Sequence, residues 1–234
     1  MREYIKALLK NQGLTITDVM CDQLVTYRNL LVEWNEKMNL TNITEEKEVA
    51  EKHFADCASI LATSYCNGKK SVIDVGTGAG FPGMVLKVLN PEISLTLLDS
   101  LAKRISFLDE VVQSLGLQGV TTLHSRAEDA AQNPAFREKF DIATARAVAS
   151  LPVLLEYCLP FVRVGGLFIA MKGTDPQEEI AQSEKALQIL NAKVKEVIPV
   201  SIADFNHSLI IIEKTGQTPK KYPRKAGMPT KSPL

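Results

Sequence analysis

Two kinds of hydrophobic pattern divide the chain. Up to about residue 67, apolar residues recur at steps of three and four, which is the spacing of one helix face. One stripe is Met20, Leu24, Tyr27, Leu31, Trp34 and Met38, and another is Ala50, Phe54, Cys57 and Leu61. Thr44 precedes the second stripe and is predicted to cap its helix. We therefore predict a helical extension over residues 1–67, packed on the rest of the chain; the first stripe is too short to favour a coiled coil.

Beyond residue 67 the pattern changes to short apolar runs that alternate with helical stretches. Strands are predicted at 71–75, 93–98, 120–124, 140–144, 166–171, 195–200 and 208–213, and helices at 82–89, 102–115, 151–161 and 176–191. This alternation is typical of an α/β domain with a parallel sheet. The last two strands have no helix between them, so an antiparallel C-terminal hairpin is expected. We place this seven-stranded, mostly parallel domain at residues 68–214.

Charged residues add information to the hydrophobic pattern only at the C-terminus. Lys plus Arg equals Asp plus Glu at 27 each, so net charge indicates no partner. Residues 215–234, however, contain no acids. The basic residues from the end of the last strand onward are Lys214, Lys220, Lys221, Arg224, Lys225 and Lys231, and four prolines lie among them. Proline prevents regular pairing, so a basic, extended tail is predicted.

Cysteine spacing and hydropathy exclude several classes of protein. The four cysteines form no CxxC pair and have no histidine cluster around them, so neither a zinc site nor a disulfide framework is expected. No apolar run approaches the roughly 20 residues that a membrane span needs, and the N-terminus lacks a signal-peptide core. We expect a cytoplasmic protein.

A glycine loop follows the first predicted strand and opens a helix. It contains Gly76, Gly78 and Gly80, followed by Phe81 and Pro82. Dinucleotide-binding loops have the spacing GxGxxG. Here the third glycine comes one position early, and the resulting GxGxG is typical of S-adenosylmethionine enzymes. The predicted fold is therefore the Rossmann-like fold of S-adenosylmethionine-dependent methyltransferases.

Carboxylates near this loop are candidate cofactor ligands. Asp99 ends the second strand, where it can accept hydrogen bonds from both ribose hydroxyls. Asp74 precedes the loop and can receive the ammonium group, directly or through water. Ala127 and Glu128 follow the third strand, where a backbone N–H and an acid can bind the adenine edge. Glu128 can equally be an acid that stabilises a helix N-terminus, and the two roles are compatible.

The segment at the end of the fourth strand limits which kinds of methyl acceptor are possible. The segment 144–147 lacks the Asn/Asp-Pro-Pro-aromatic motif of amine methylation, and Cys158 lies too far along the next helix to be a nucleophile. No metal-ligand cluster and no catalytic residue is indicated. A ring nitrogen such as guanine N7 needs no base, because it has no proton to lose. Arg146 can bind guanine O6 or the cofactor, or it can be a surface arginine that closes a salt bridge. Lys172 can bind phosphate or be solvated.

The chain resembles a known family, the bacterial glucose-inhibited division protein B family of small-subunit (16S) ribosomal RNA guanine-N7 methyltransferases. The resemblance covers nearly the whole chain. It is carried by Val32–Thr41, Lys52–Asp56, Asp74–Gly83, Leu98–Arg104, Arg126–Glu128, Thr144–Ala149 and Lys220–Lys225. The glycine loop is shared by many methyltransferases. The segments Val32–Thr41, Thr144–Ala149 and Lys220–Lys225 are more specific to this family.

The resemblance implies methyl transfer from S-adenosylmethionine to N7 of a guanine in the decoding region of 16S ribosomal RNA. It implies cofactor contacts at Gly76, Phe81, Ala127, Glu128 and Arg146. A basic tail can then neutralise RNA phosphates. The candidate RNA contacts are Lys172, Lys220, Lys221 and Arg224. Three alternatives stay open: a small-molecule methyltransferase, an RNA-binding assembly factor without activity, and a dinucleotide oxidoreductase.

Overall fold

The structure is a computed structural model that describes all 234 residues. Its strands are β1 (Ser71–Val75), β2 (Ser94–Asp99), β3 (Val120–His124), β4 (Phe140–Arg146), β5 (Val162–Lys172), β6 (Ala192–Ile202) and β7 (Phe205–Lys214). Its helices are α1 (Arg2–Asn11), α2 (Asp18–Met38), α3 (Glu46–Val49), α4 (Asp56–Ala62), α5 (Gly83–Leu89), α6 (Ala102–Ser114), α7 (Ala127–Ala130), α8 (Leu151–Cys158), α9 (Gln177–Gln182), α10 (Glu184–Ile189) and α11 (Met228–Lys231). None of the helices is both long and apolar enough to cross a membrane.

The seven strands form one sheet in the order β3-β2-β1-β4-β5-β7-β6. The first five pair in parallel, and β7 runs antiparallel to both β5 and β6. The predicted α/β class, the seven strands and the C-terminal hairpin are thereby confirmed. The strand order reverses between β1 and β4, which opens a crevice at the carboxyl ends of these two strands.

The N-terminal helices cover one face of the sheet. Helix α2 begins after Thr17, whose Oγ1 accepts from the Met20 N–H at 3.2 Å. Its stripe is buried as predicted at Leu24, Tyr27 and Leu31. The capping prediction at Thr44 is wrong, because the cap position is Glu45, whose side chain makes no capping bond.

A π-helical segment, Ala50–Ala55, joins α3 to α4 in one continuous helix. The wider turn is an irregularity that often marks a functional position. Here it carries His53, which is buried, and ends next to the buried Asp56. The sequence stripe gave no sign of this change in helical period.

Two other elements differ from the sequence prediction. The helix expected over 176–191 is interrupted at Ser183, whose Oγ donates to the Glu179 carbonyl at 2.6 Å. Serine competes with the backbone for hydrogen bonds in this way, which favours a break. The last two strands are each several residues longer than predicted, because cross-strand pairing extends them to a tight turn at 203–204.

The C-terminal strap, residues 215–234, is not the extended tail that was predicted. It folds back on the domain, buries Tyr222 and ends in the one-turn helix α11. Lys214 also differs from the prediction. Its ammonium is fully buried and donates to Glu138 at 2.7 Å and to two carbonyls at 2.8 Å. The last residue of β7 is therefore a buried lysine whose ammonium group is held by hydrogen bonds.

Candidate functional site

Three cavities lie in a row along the crevice at the carboxyl edge of the sheet. The strap cleft is lined by Val75, Gly76, Leu98, Asp99, Ser100, Ser125, Arg126, Ala127, Glu128, Val148, Tyr157, Gly227 and Thr230. The loop cleft is lined by Leu40, Thr41, His53, Gly76, Thr77, Gly78, Ala79, Phe81, Arg104, Arg146 and Ala147. The hairpin pocket is lined by Asp56, Arg146, Ala147, Met171, Lys172, Gly173, Phe205 and His207. Gly76 is common to the first two cavities, and Arg146 and Ala147 are common to the last two.

The glycine loop is built for tight packing on both sides. At Gly80, where φ is +96°, an added Cβ would lie 2.6 Å from both the Tyr27 hydroxyl and the Met84 side chain. At Gly76, where φ is +68°, an added Cβ would lie 2.9 Å from Val148. Both positions therefore require glycine. Gly80 faces the core, whereas Gly76 faces the crevice.

Asp74 holds this loop from inside. Its Oδ2 accepts from Thr77 Oγ1 at 2.6 Å and from the Gly83 N–H at 2.9 Å, and its Oδ1 accepts from Thr144 Oγ1 at 3.3 Å. Complete burial raises the pKa of this carboxyl to about 6, against the lowering effect of those three donors. Asp74 is buried below the loop and lines none of the three cavities, so a direct ammonium contact does not fit this geometry, and a contact through water stays a prediction. Asp74 instead fixes the turn between β1 and α5.

Asp99 lies in the wall of the strap cleft. Its Oδ2 accepts from the Gly78 N–H at 2.9 Å and from Arg104 at 3.3 Å, and its Oδ1 accepts from the Leu101 N–H at 2.9 Å. A carboxylate offers about four acceptor positions, so capacity remains for a hydroxyl donor. The side chain thus ties the glycine loop to β2 and also faces the cavity.

The position of Glu128 is compatible with both roles considered for it, as an acid at a helix N-terminus and as a residue of the cofactor site. It lies in the first turn of α7, and it lines the strap cleft beside Ala127. Its Oε1 also accepts from the N–H of Gly227 in the C-terminal strap, at 3.0 Å. The strap is therefore a wall of this cleft, a feature that the sequence prediction missed. Thr230 lines the same cleft, and its hydroxyl lies 2.9 Å from the Tyr157 hydroxyl.

The strap is anchored by charged side chains of the domain. Arg224 forms two-point contacts with Glu156, whose carboxylate is buried, at distances down to 2.6 Å. Arg137 donates to the carbonyls of Thr218, Pro219 and Tyr222. The guanidinium of Arg224 thus serves to hold the strap, so its predicted RNA contact does not fit this geometry.

Lys220 and Lys221 differ from Arg224 in that both are exposed on the strap. Neither forms an ion pair with a carboxylate of the chain. Lys221 Nζ lies 5.2 Å from the centre of the Tyr222 ring. These two cations are therefore free to meet an anionic partner.

Arg146 lies at the junction of the loop cleft and the hairpin pocket. Its Nη1 donates to the Lys52 carbonyl and to Asp56 Oδ2, each at 2.9 Å, and its Nη2 lies 3.1 Å from His53 Nδ1. The guanidinium also lies 4.9 Å from the centre of the Phe81 ring. A long-range network therefore fixes this arginine between β4 and the π-helical segment.

His53 is satisfied by the same network. Burial and the neighbouring Arg146 lower its pKa to about 4, so the ring is neutral at physiological pH. Its Nδ1 lies 3.1 Å from both Arg146 Nη2 and the Lys52 carbonyl, and its Nε2 lies 3.0 Å from Thr41 Oγ1. The ring stacks on Phe81 with the centroids 4.4 Å apart. His53 is therefore a buried histidine whose ring nitrogens both have polar neighbours.

The hairpin pocket brings together residues from three distant parts of the chain. Asp56 Oδ1 lies 2.9 Å from His207 Nδ1 on β7, while its other oxygen binds Arg146. Lys172 Nζ lies 2.9 Å from Glu179 and donates to the Ala149 carbonyl at 3.1 Å. Phe205 stands beside them, half-exposed. The sequence analysis missed Phe205 and His207, which no motif marks.

The cysteines line none of the three cavities. All four are buried, and burial raises the pKa of the Cys57 and Cys158 thiols. No group of three or more His, Cys, Asp or Glu is arranged to hold a metal ion.

Comparison with known proteins agrees with this geometry. A family model described as "GidB: rRNA small subunit methyltransferase G" matches residues 20–213. Proteins named ribosomal RNA small subunit methyltransferase G are similar to this chain. That of Alkaliphilus metalliredigens is 55% identical over 95% of this chain and 94% of its own, and that of Alkaliphilus oremlandii is 50% identical over 100% and 99%.

Solved structures share the fold at low sequence identity. The crystal structure of an S-adenosylmethionine-dependent methyltransferase from Aquifex aeolicus aligns with a TM-score of 0.55 and 18% identity, over 74% of this chain and 96% of its own. That likeness concerns the architecture, whereas the match of the family model and the two relatives extends to the sequence. The chain belongs to the GidB family of rRNA small subunit methyltransferase G.

Proposed function

We propose that the protein transfers a methyl group from S-adenosylmethionine to N7 of a guanine in the 16S ribosomal RNA of the small subunit. The observation that carries this proposal is the row of three neighbouring cavities, with shared lining residues, along the switch-point crevice. The row passes from Asp99 and Glu128, past the glycine loop, to Arg146. It has room for an elongated cofactor beside a second, flat substrate.

The residues of the row suit the parts of S-adenosylmethionine. Asp99 would accept from a ribose hydroxyl, and Ala127 and Glu128 would flank the adenine. Gly76 would lie against the middle of the cofactor, at the narrow passage between the two clefts. Phe81 and Arg146 would face its methionine part. In this proposal Gly80 and Asp74 shape the loop and do not bind the cofactor themselves, whereas Gly78 lines the loop cleft beside it.

The chemistry needs positioning and no general base. S-adenosylmethionine supplies a methyl group on a sulfonium, and the N7 lone pair forms the new C–N bond as the C–S bond breaks and leaves its electron pair on sulfur. The protein must hold the base in line and keep it there. Arg146, fixed by Asp56 and the Lys52 carbonyl, is suited to donate to guanine O6. The buried thiols take no part.

The strap supplies the RNA-facing charge. Lys220 and Lys221 are exposed and unpaired, so they can neutralise phosphates of the RNA. A ribosomal RNA substrate also implies a cytoplasmic location.

The proposal is tested by methyl transfer from labelled S-adenosylmethionine to small-subunit particles and to 16S RNA from cells that lack this protein. Digestion to nucleosides should place the label in 7-methylguanosine. A matched RNA transcribed with 7-deazaguanosine has carbon in place of N7, and it should accept no label. Label in any other nucleoside, or undiminished label in the 7-deaza RNA, would contradict the assignment of N7.

The same assay separates the alternatives. No label with cofactor binding intact would favour a small-molecule acceptor. No label and no cofactor binding, measured by calorimetry, would favour an assembly factor without activity.

A further inference from the structure

We propose that the hairpin pocket receives the base to be methylated, and that Phe205 is the surface on which this base stacks. The inference rests on the proposed function and adds the site and the specificity residue of its RNA substrate. Phe205 is the first residue of β7, directly after the tight turn of the β6–β7 hairpin. No sequence motif includes it.

The position of the pocket is the first argument. The loop cleft and the hairpin pocket meet at Arg146 and Ala147, which lie at the end of β4. In a donor that extends from the strap cleft into the loop cleft, the reactive methyl group is on the sulfonium between the ribose and the methionine part. The methionine part would lie beside Arg146, so an acceptor in the hairpin pocket would adjoin that side of the donor.

The chemistry of the walls is the second argument. Phe205 and Met171 offer apolar surface, and Arg146 and Lys172 bring positive charge to the same pocket. Three contacts use part of the Arg146 guanidinium, which has five N–H donors, so two donors remain for a ligand. A flat, apolar surface beside free donors suits a planar heterocycle with acceptor atoms on its edge. A phosphate would gain nothing from the aromatic ring.

The third argument is that Phe205 is not needed by the hydrophobic core. It belongs to neither of the two clusters of buried apolar residues and is half-exposed. Its ring is within 20° of parallel to the His207 ring, with the centroids 6.2 Å apart. A partly exposed aromatic ring beside basic side chains with free N–H donors resembles the stacking surfaces of single-stranded RNA-binding proteins.

Asp56 makes the pocket a fixed structure. One of its oxygens accepts from Arg146 at 2.9 Å, and the other lies 2.9 Å from His207 on the hairpin. The same buried carboxylate thus lies between Arg146 and His207 and adjoins both walls of the pocket. Asp56 is in this account a positioning residue for both walls.

The test compares Phe205→Ala, Phe205→Leu and Phe205→Tyr with the wild-type protein on small-subunit RNA. Loss of one base–aromatic stack should lower kcat/KM for RNA about 5- to 150-fold in the alanine variant. The leucine variant keeps apolar volume without a π face and should lie between, and the tyrosine variant should be close to wild type. Tyr65→Ala is the matched control, because Tyr65 is an aromatic residue that binds Glu196 on the same hairpin, away from the pocket.

Two binding measurements complete the test. Calorimetry should give the same Kd for S-adenosylmethionine in all variants, and binding of fluorescent RNA should weaken in the order Tyr, Leu, Ala. If wild-type protein labels the RNA and Phe205→Ala and Phe205→Leu do so equally well, the inference is overturned and the proposed function stands. Equal weakening of cofactor binding would also overturn it, because the pocket would then belong to the cofactor. Absence of label with the wild-type protein would refute the proposed function itself.

Discussion

The two ends of the crevice are built in different ways. At the strap cleft, the wall contains two carboxylates, Asp99 at the end of β2 and Glu128 in the first turn of α7. A segment nearly 100 residues further along the chain closes this cleft. At the hairpin pocket, Arg146 is held by a network of side chains from the π-helical segment and β7. The strap cleft is thus built from residues that directly follow the strands, together with the strap. The hairpin pocket depends on contacts between residues that are far apart in the sequence.

This difference suggests separate tasks for the two ends: the strap cleft binds the cofactor, and the Arg146 end positions the acceptor base. Backbone N–H groups and strand-end carboxylates fix a site as soon as the sheet forms. A buried ion-pair network fixes a side chain only when all of its members are present, and removal of one leaves the others without partners. We therefore expect substitutions at the Arg146 end to be more damaging, and to affect the methyl-transfer step more than cofactor binding.

The largest effect is expected for Arg146→Ala. It leaves the buried Asp56 without its cation, which should cost about 3–5 kcal/mol of unfolding free energy. It should slow methyl transfer about 100-fold or more, because the acceptor base loses its orientation. Urea unfolding and single-turnover transfer measure the two effects, with Arg146→Lys as the control that keeps the charge. Rescue of the alanine variant by a basic buffer would contradict the mechanism, since no proton has to be removed.

Arg224→Ala tests the other end. Glu156 would stay buried without the guanidinium, at a cost of about 3 kcal/mol. The strap would loosen, and the affinity for S-adenosylmethionine should fall about tenfold, equivalent to the loss of a hydrogen bond to Glu128. The neighbouring exposed Lys225→Ala is the control and should leave cofactor affinity unchanged. Unchanged affinity in the Arg224 variant would show that the strap is not part of the cofactor site.

The Arg146 network should also make stability depend on pH. Folding lowers the pKa of His53 from 6.5 to about 4, so the unfolded state binds more protons between these values. The contribution is therefore fully present above pH 6.5 and declines as pH falls to 4, by roughly 3 kcal/mol in total.

Urea unfolding of wild type and His53→Gln at several pH values isolates this contribution as a difference. The comparison is needed because Asp74, whose pKa is raised to about 6, changes stability in the opposite direction and is common to both proteins. A difference that stays constant from pH 7 to 4 would mean that His53 titrates normally in the folded state.

The smallest effect is expected for the double variant Lys220→Ala, Lys221→Ala. Loss of two phosphate contacts should make the slope of log K for RNA against log salt shallower by about 1.4. Cofactor affinity and unfolding free energy should not change, because both side chains are exposed. A titration of RNA binding between low and moderate salt measures the slope. An unchanged slope would remove these lysines from the RNA interface.

The same contrast explains how much the sequence could predict. The sheet, its antiparallel hairpin and the helix that carries Tyr27 follow from periodicity, because each is a local pattern. The glycine loop and Asp99 follow from their places after β1 and β2. The boundaries proposed at residues 67 and 214 stay a prediction.

What could not be predicted depends on contacts between distant residues. Asp74 precedes the loop, where a cofactor ligand is expected, yet its side chain is completely buried below the loop. The strap has a basic composition that suggests an extended arm, yet the buried Glu156 binds Arg224 and folds it back. Phe205 and His207 carry no motif, and only the hairpin register brings them to Arg146. Composition indicates which residues can pair and leaves open which partner each one finds.

The most direct test of the account is a crystal structure of the protein with S-adenosylmethionine bound. We predict the adenine between Ala127 and Glu128 with Gly227 close by, the ribose on Asp99, and the methyl group directed past Arg146 toward Phe205. An adenine in the hairpin pocket, or a methyl group directed away from Arg146, would contradict the arrangement of the three cavities on which the proposed function and the base site both depend.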